Sequence, residues 1–270
     1  MANGFPLHLN FAVFHLPFEI LCAFFPLSPL RRRLYLSESE IAVGALAARP
    51  ARAHQFENAD QQSAASSLGM WTFLATEIMF FGGLFAGYEV YRSHYLAAFE
   101  AGSRLLDARF GVTNTAILIA SSLTMAMAVH SAQTGKRRAL VSYLFLTMLL
   151  GVAFLGIKFT FEWSRDYVEH LIPGFGFGPV GENLEIIQRH NALVPQVQLF
   201  FCFYFFMTGM HALHMIVGLG ILLVLLLAAR RGEYSPDHFA PVENSGLYWH
   251  FVDIVWIFLF PLLYLIGGRY

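Results

Sequence analysis

Glu77 is the one acidic residue in the stretch FLATEIMFFGG (73–83), where most neighbours are apolar. A carboxylate in apolar surroundings is unfavourable, so it either finds a polar partner or takes up a proton. Glu77 is therefore the first candidate for a buried functional or structural acid.

Two histidines lie three residues apart in TGMHALHMIVG (208–218), so Thr208, His211 and His214 share one side of a helix. Such a pair could bind haem or a metal ion, but a haem site needs a second ligand at similar depth on another helix. The other histidines of the apolar stretches lie near the ends of those stretches. We predict an intramembrane polar cluster that makes hydrogen bonds between helices, and no metal site.

Two further stretches carry ionisable residues. In YWHFVDIVW (248–256), His250 and Asp253 are neighbours on one helix face, which predicts a structural cluster, with a proton relay as the alternative. In FLGIKFTFEW (154–163), Lys158 lies about 19 residues, hence about 28 Å, from the inner end of its helix. We expect Lys158 to extend to the outer head groups, together with Glu162 one turn later.

Long apolar helices must position these residues. The chain has 270 residues, of which 57% are hydrophobic and 13% charged, and its mean hydropathy is +0.55. Soluble domains carry about 25% charged residues, so this composition indicates a membrane protein. The net charge of −1 gives no basis for nucleic-acid binding. Cys22 and Cys202 are expected to be buried thiols, with no disulfide or zinc pattern.

Five stretches are long and apolar enough to span a bilayer: 69–91, 112–133, 139–163, 197–229 and 247–267. We predict an all-α polytopic membrane protein whose five-helix transmembrane bundle occupies residues 68–270. Residues 1–67 are predicted to form an extension that is poorly ordered or interfacial, because four prolines interrupt its apolar part. A sixth span is the alternative there. A signal peptide would have its basic residues before the apolar ones, which is the reverse order.

Loops rich in lysine and arginine alternate along the chain with loops that are less basic. With the N-terminus inside, ten of the lysine and arginine residues lie on the inner side and six on the outer side, and Lys158 lies within a span. The positive-inside rule then predicts an N-in, C-out topology. Arg230 and Arg231 end the fourth span at the inner boundary, where we predict contact with lipid phosphates. The alternative is that these two arginines only set the orientation of the helix in the membrane.

Depth along the helices selects partners for Glu77, which lies about 13 Å from the inner end of the first span. The hydroxyl groups of Ser121, Ser122 and Thr124 lie about 14–18 Å from the inner end of the second span. The histidines of the fourth span lie about 24–28 Å deep, unless that long helix protrudes inward. We therefore predict that a protonated Glu77 donates a hydrogen bond to this hydroxyl cluster. The small and hydroxylated residues around it also predict close helix packing.

Five stretches occur together in one order: MWTFLATEIMFFGG, NTAILIASSLTMA, FLGIKFTFEW, TGMHALHMIVG and YWHFVDIVW. With these motifs the chain resembles subunit III of the haem–copper terminal oxidases, the cytochrome c oxidase subunit 3 family, in its short bacterial form. The resemblance covers residues 68–270. The segment AHQFENADQQSAASSLGMW (53–71) resembles the start of that short form, so residues before about Ala53 are expected to be an upstream extension or a misassigned start.

The resemblance implies a non-catalytic, multi-pass subunit in the bacterial inner membrane. It would pack on subunit I, with subunit II and a small subunit as further partners. Its roles would be to stabilise subunit I, to sustain proton uptake and to slow inactivation during turnover. Haem and copper would lie in subunits I and II and none in this chain, which could bind phospholipid. Glu77 corresponds to the family acid that reacts with carbodiimides. Glu243 matches a second acid, which would join His250 and Asp253 in a cluster at the inner face.

Longer family members have two additional helices before these five and hold lipid between the two groups, so the full lipid cleft is not expected here. Two alternatives assign the chain to the same type of subunit but to a different complex. One complex is a quinol oxidase, and the other is a relative associated with nitric oxide reductase. An alternative of another class is a membrane anchor with haem bound by His211 or His214, which a visible spectrum would distinguish.

Overall fold

The computed structural model describes residues 59–267 except Phe175, Asp237 and His238. The chain divides into two compact units, residues 1–66 and residues 67–270. The predictions for residues 1–58 lie outside the described residues. The first helix begins at Ala59, before the predicted boundary at residue 68, so residues 59–67 are helical.

The elements of the described residues are helical. They are α1 (Ala59–His94), α2 (Leu96–Leu105), α3 (Ala108–Gln133), α4 (Arg137–Ile157), α5 (Ser164–Val168), α6 (Glu182–Arg189), α7 (Val194–Arg231) and α8 (Ala240–Phe260). Two π-helical segments, Lys158–Trp163 and Pro261–Leu265, continue α4 and α8.

Five helical stretches in the described residues are long and apolar enough to cross a membrane: Ala64–His94, Ala108–Gln133, Arg137–Val168, Val194–Arg231 and Ala240–Leu265. The predicted all-α architecture with five spans is confirmed. Each helical stretch starts before the apolar window predicted for it, because polar residues at a helix end continue the backbone hydrogen bonds without adding hydropathy.

Local sequence explains several helix ends. The Asp107 side chain accepts a hydrogen bond from the Arg109 backbone N–H at 2.9 Å, which caps the start of α3. A proline in the first turn opens α7, where its missing N–H is no loss. Gly232 ends α7 with φ 79°, a left-handed conformation that a residue with a side chain adopts less readily.

Helices α3, α4, α7 and α8 form the core of the bundle, and each packs on two of the others. The indole of Trp249 on α8 fills the space between α4 and α7, where a Cβ added to Gly151 or Gly218 would lie 2.9 Å from its ring. Its Nε1 donates a hydrogen bond to Ser121 Oγ on α3 at 3.0 Å. The glycines are therefore needed for close approach.

Hydroxyl groups join α3 to α4, as the sequence predicted for close packing. Thr124 Oγ1 and Thr147 Oγ1 lie 2.8 Å apart, and Ser121 Oγ is 3.5 Å from the Thr147 carbonyl oxygen. Cys202, in contrast, is exposed on α7, so the prediction of a buried thiol is wrong for this residue. The apolar surroundings of Cys202 are the membrane-facing surface of the helix rather than the core.

Helix α1 reaches the core through long side chains. The rings of Phe73 and Tyr248 have centroids 6.1 Å apart, and Phe81 lies 5.3 Å from the His214 ring. The Tyr88 hydroxyl donates to the Leu262 carbonyl oxygen at 2.8 Å. From Ser67 onward, α1 therefore packs on α7 and α8 mainly through aromatic groups.

Candidate functional site

Glu77 on α1 is hydrogen-bonded to His214 on α7. The Glu77 Oε2 lies 3.1 Å from His214 Nε2, and both side chains are mostly buried. The other ring nitrogen, Nδ1, lies 2.8 Å from the Met210 carbonyl oxygen, to which it must donate because a carbonyl only accepts. One proton is then shared between Glu77 and Nε2, so the pair is net neutral whether that proton sits on oxygen or on nitrogen.

The prediction that Glu77 bonds to Ser121, Ser122 and Thr124 is wrong. Those hydroxyls make their hydrogen bonds with α4 and α8 instead. The depth estimate started the first span at residue 69, but α1 begins at Ala59, so Glu77 lies about 27 Å from the start of its helix. His214 lies about 26 Å from the end of α7 at Arg231, so the two side chains are level.

Lys158 and Glu162 form a buried ion pair, with Nζ and Oε2 2.5 Å apart and side-chain exposures of 1% and 2%. Two tyrosines complete the network. Lys158 Nζ lies 3.1 Å from the Tyr204 hydroxyl and 2.6 Å from the Tyr264 hydroxyl, and the Tyr264 hydroxyl donates to Glu162 Oε2 at 2.6 Å. The ammonium also lies over the Trp256 ring, 5.2 Å from its centroid.

The prediction that Lys158 and Glu162 reach the outer head groups is therefore wrong. Both lie in the π-helical segment Lys158–Trp163, with their side chains on the face that packs in the bundle. Their spacing of four residues is that of a helical ion pair, which the sequence contained. Tyr204 and Tyr264 come from α7 and the last π-helical segment, and no local pattern around Lys158 indicates them.

The residues Thr208, His211 and His214 do not form one cluster. Thr208 Oγ1 donates to the Tyr204 carbonyl oxygen of its own helix at 2.6 Å. His211 is buried with its ring 5.4 Å from Phe154, and neither ring nitrogen has a hydrogen-bond partner within the described residues. The predicted hydrogen bond between helices is confirmed for His214 alone.

A groove between α3 and α8 contains His250 and Asp253. His250 Nδ1 lies 2.7 Å from Ser122 Oγ. These three residues line the groove together with apolar side chains. Glu243 is exposed in the first turn of α8, two turns before His250, and does not line the groove. The predicted cluster therefore contains His250 and Asp253 but not Glu243, because the carboxyl of Glu243 is on a solvent-accessible turn.

A second groove, of about 920 Å³, is basic and lies where α3 turns into α4. Its charged lining residues are Lys136, Arg137, Arg138 and Arg230. The Arg137 guanidinium donates to the carbonyl oxygens of Ala229 and Arg230, which fixes the end of α7 against the turn. Arg231 points to Glu233 instead, with a separation of 3.8 Å. Arg230 and Arg231 therefore differ in surroundings, and lipid contact by either stays a prediction.

Within the described residues, no group of three or more His, Cys, Asp and Glu side chains is arranged to hold a metal ion. Four of the ionisable groups inside the bundle are instead arranged in two pairs whose contacts connect helices. Glu77 and His214 join α1 to α7, and Lys158 joins the end of α4 to α7 and to the last π-helical segment.

Comparison with known proteins identifies consistent relatives. The family model described as Cytochrome c oxidase subunit III matches residues 191–268. Cytochrome bo(3) ubiquinol oxidase subunit 3 of Pseudomonas aeruginosa is 30% identical over 215 residues, which are 80% of this chain and 91% of the relative. Cytochrome c oxidase subunit 3 of Corynebacterium diphtheriae is 31% identical over 202 residues, 74% of this chain and 87% of the relative. Quinol oxidase subunit 3 of Bacillus subtilis is 29% identical over 204 residues, which are 74% of this chain and 86% of the relative.

Proposed function

The chain belongs to the cytochrome c oxidase subunit III family, and we propose that it is the non-catalytic subunit III of a haem–copper terminal oxidase in a bacterial inner membrane. In that complex it packs on subunit I, stabilises it and supports its proton uptake. Oxygen reduction and proton pumping take place in the partner, while subunit II and a small subunit complete the assembly.

The internal pairing of ionisable groups supports a structural role. The Glu77–His214 pair is net neutral, and the Lys158–Glu162 pair is closed by two tyrosine hydroxyls. Each pair connects helices, and each is enclosed by aromatic rings. Groups held in this way stiffen a bundle, as expected of a subunit that supports a neighbour.

The alternative of a haem anchor is disfavoured because His214 is already hydrogen-bonded through both ring nitrogens and His211 is buried among aromatic rings. Both ring nitrogens of His214 already have partners, at Met210 and Glu77. The His211 ring is buried and packs against Phe154 and Trp256, at centroid distances of 5.4 and 5.2 Å. We propose that haem and copper are held by subunits I and II.

The test uses the full chain, carrying an affinity tag, expressed in its own bacterium. Purification from the membrane in mild detergent should yield a large haem-bearing subunit and oxygen consumption. Assays with reduced cytochrome c and with ubiquinol then assign the electron donor. A preparation without haem would contradict the proposal, and a Soret band from the isolated chain would favour the anchor.

The supporting role has its own test. Oxidase assembled in cells that lack this chain should lose activity within fewer turnovers and take up protons more slowly than the complete complex. Adding back the purified chain should restore both properties. Equal inactivation with and without the chain would contradict the supporting role while leaving its membership of the complex intact.

The N-in, C-out topology rests on the alternation of lysine and arginine in the loops. Reporter fusions after Gly135 and Gly232 should report the cytoplasmic side, and a fusion after Gly178 should report the periplasmic side. The reversed result at any of the three positions would refute this orientation.

A further inference from the structure

The groove between α3 and α8 has a polar floor and apolar rims. Its volume is about 460 Å³, and Ser122, His250 and Asp253 lie among apolar lining residues that include Ile119 and Ile254. Ile119 and Ile254 are 57% and 50% exposed, so the rims face outward from the bundle. The groove is therefore a surface feature of a membrane-spanning region.

The polar floor lies near the middle of both helices. Asp253 is about 20 Å along the spanning stretch that starts at Ala240 and about 18 Å before its end at Leu265, at 1.5 Å per residue. Ser122 is about 21 Å from the start of α3 and about 16 Å from its end. Because the hydrocarbon core is about 30 Å thick, lipid head groups at either surface do not reach this depth.

The Asp253 carboxyl lacks a partner at this depth. The residue is only 3% exposed, and neither carboxylate oxygen has a hydrogen-bond partner within the described residues. The Ser122 hydroxyl lies beside the carboxyl, but its single proton is donated either to Asp253 or to His250 Nδ1, which is 2.7 Å away. Lipid tails offer no donor, so an acid that borders them without a partner is unfavourable.

We propose that this groove binds a transmembrane helix of the large haem-bearing subunit, and that this helix presents a hydrogen-bond donor to the Asp253 carboxyl. The inference rests on the proposed function for the identity of the partner. A helix satisfies the three observations together: it brings a side-chain donor to mid-membrane depth, covers the apolar rims and keeps its own backbone satisfied.

The first test is photo-crosslinking within the assembled oxidase. A photoreactive phenylalanine analogue replaces Ile119 on the rim and, as a control, Leu149 on α4, which is 54% exposed. Illumination should link position 119 to a transmembrane helix of the haem-bearing subunit, identified by mass spectrometry, with a much weaker link from position 149. Links from position 119 to lipid alone, or to a second copy of this chain, would overturn the inference.

The second test replaces Asp253. Asp253→Leu should lower the haem recovered per tagged chain by about tenfold, the factor that about one hydrogen bond supports in binding. Asp253→Asn, which keeps an acceptor oxygen, should lose less. The unfolding temperature of each full-length variant should stay near that of the wild type, because Asp253 makes no hydrogen bond within the described residues.

The outcomes separate this inference from the proposed function. Unchanged haem recovery with Asp253→Leu would refute the groove as the contact, although haem still co-purifies with the wild-type chain. No haem with the wild-type chain would refute the proposed function itself. A fall in unfolding temperature for Asp253→Leu equal to that of a core variant would assign Asp253 to internal packing and overturn the inference.

Discussion

Replacement of Lys158 by methionine would test whether the buried ion pair holds the bundle together. Methionine keeps an unbranched, flexible side chain of similar length and removes the charge. The change eliminates the contacts of Nζ with Glu162 at 2.5 Å, Tyr264 at 2.6 Å and Tyr204 at 3.1 Å. Glu162 then stays buried with the two tyrosine hydroxyls as its remaining donors.

The expected magnitude follows from the burial of Glu162. Breaking one side of a buried ion pair destabilises by about 3–5 kcal/mol, because an uncompensated charge is left behind. The two hydroxyls still solvate Oε2, while Oε1 has no partner within the described residues. We therefore expect a loss near the lower end, about 3 kcal/mol, or roughly a 140-fold change in the unfolding equilibrium.

The double variant Lys158→Met/Glu162→Leu should regain stability that Lys158→Met loses. It removes both charges, and buried ion pairs replaced by apolar residues of similar volume are often neutral in stability. We expect it to be more stable than Lys158→Met alone. The double-mutant cycle then isolates the coupling between the two charges.

The measurement is reversible unfolding of the full-length chain in bicelles by titration with sodium dodecyl sulfate, followed by tryptophan fluorescence and circular dichroism. Trp256, which lies under the Lys158 ammonium, is a local reporter. Lys136→Met is the matched control, because Lys136 is exposed at the turn between α3 and α4.

Two results would refute this reasoning. If Lys158→Met unfolds within about 1 kcal/mol of the wild type, the pair contributes no more than an exposed salt bridge. If the double variant is less stable than Lys158→Met, the hydroxyl groups of Tyr204 and Tyr264 rather than the charges dominate, since they would then have no acceptor.

Three further predictions use the same assay or native mass spectrometry. Glu77→Leu should destabilise by about 1–3 kcal/mol, because it leaves the His214 Nε2 unpaired, and Glu77→Gln by less; equal effects would show that the hydrogen bond contributes nothing. Gly218→Ala should cost about 1–3 kcal/mol, because its Cβ would lie 2.9 Å from an indole carbon, whereas Gly220→Ala, with no atom within 4 Å, should be near neutral. Arg230→Ala should reduce the phospholipid retained by the purified chain, since Arg230 lines the basic groove; unchanged retention would favour a topology signal alone.

The sequence correctly predicted those properties that depend on a single helix. Hydropathy located the five spans of the described residues, since each is long enough and apolar enough to cross a bilayer even where it contains an ionisable residue. Small and hydroxylated residues on α3 correctly indicated close packing against α4. These properties follow from composition and from the helical repeat, which the sequence contains in full.

Partner choice could not be predicted in the same way. Depth along a helix follows from 1.5 Å per residue, but the level of one helix relative to another depends on where the loops hold its ends. Depth alone favoured the hydroxyl cluster over His214 as the partner of Glu77, yet His214 Nε2 lies 3.1 Å from the Glu77 carboxylate. Lys158 was placed in head groups at the correct distance along α4, but the π-helical segment and its packing bury it.

The distribution of buried charge shows which side of the bundle needs a partner. Glu77 is balanced by His214, and Lys158 by Glu162, so both interior pairs are neutral without any other subunit. Asp253 lies near the middle of its spanning stretch, but neither carboxylate oxygen has a hydrogen-bond partner within the described residues, and the residue borders a groove with outward-facing rims. Lipid tails supply no hydrogen-bond donors, so the buried Asp253 carboxyl raises the free energy of the isolated chain. A donor from a partner helix in the assembled complex would remove this cost. The α3–α8 face is therefore one surface at which assembly should stabilise this chain.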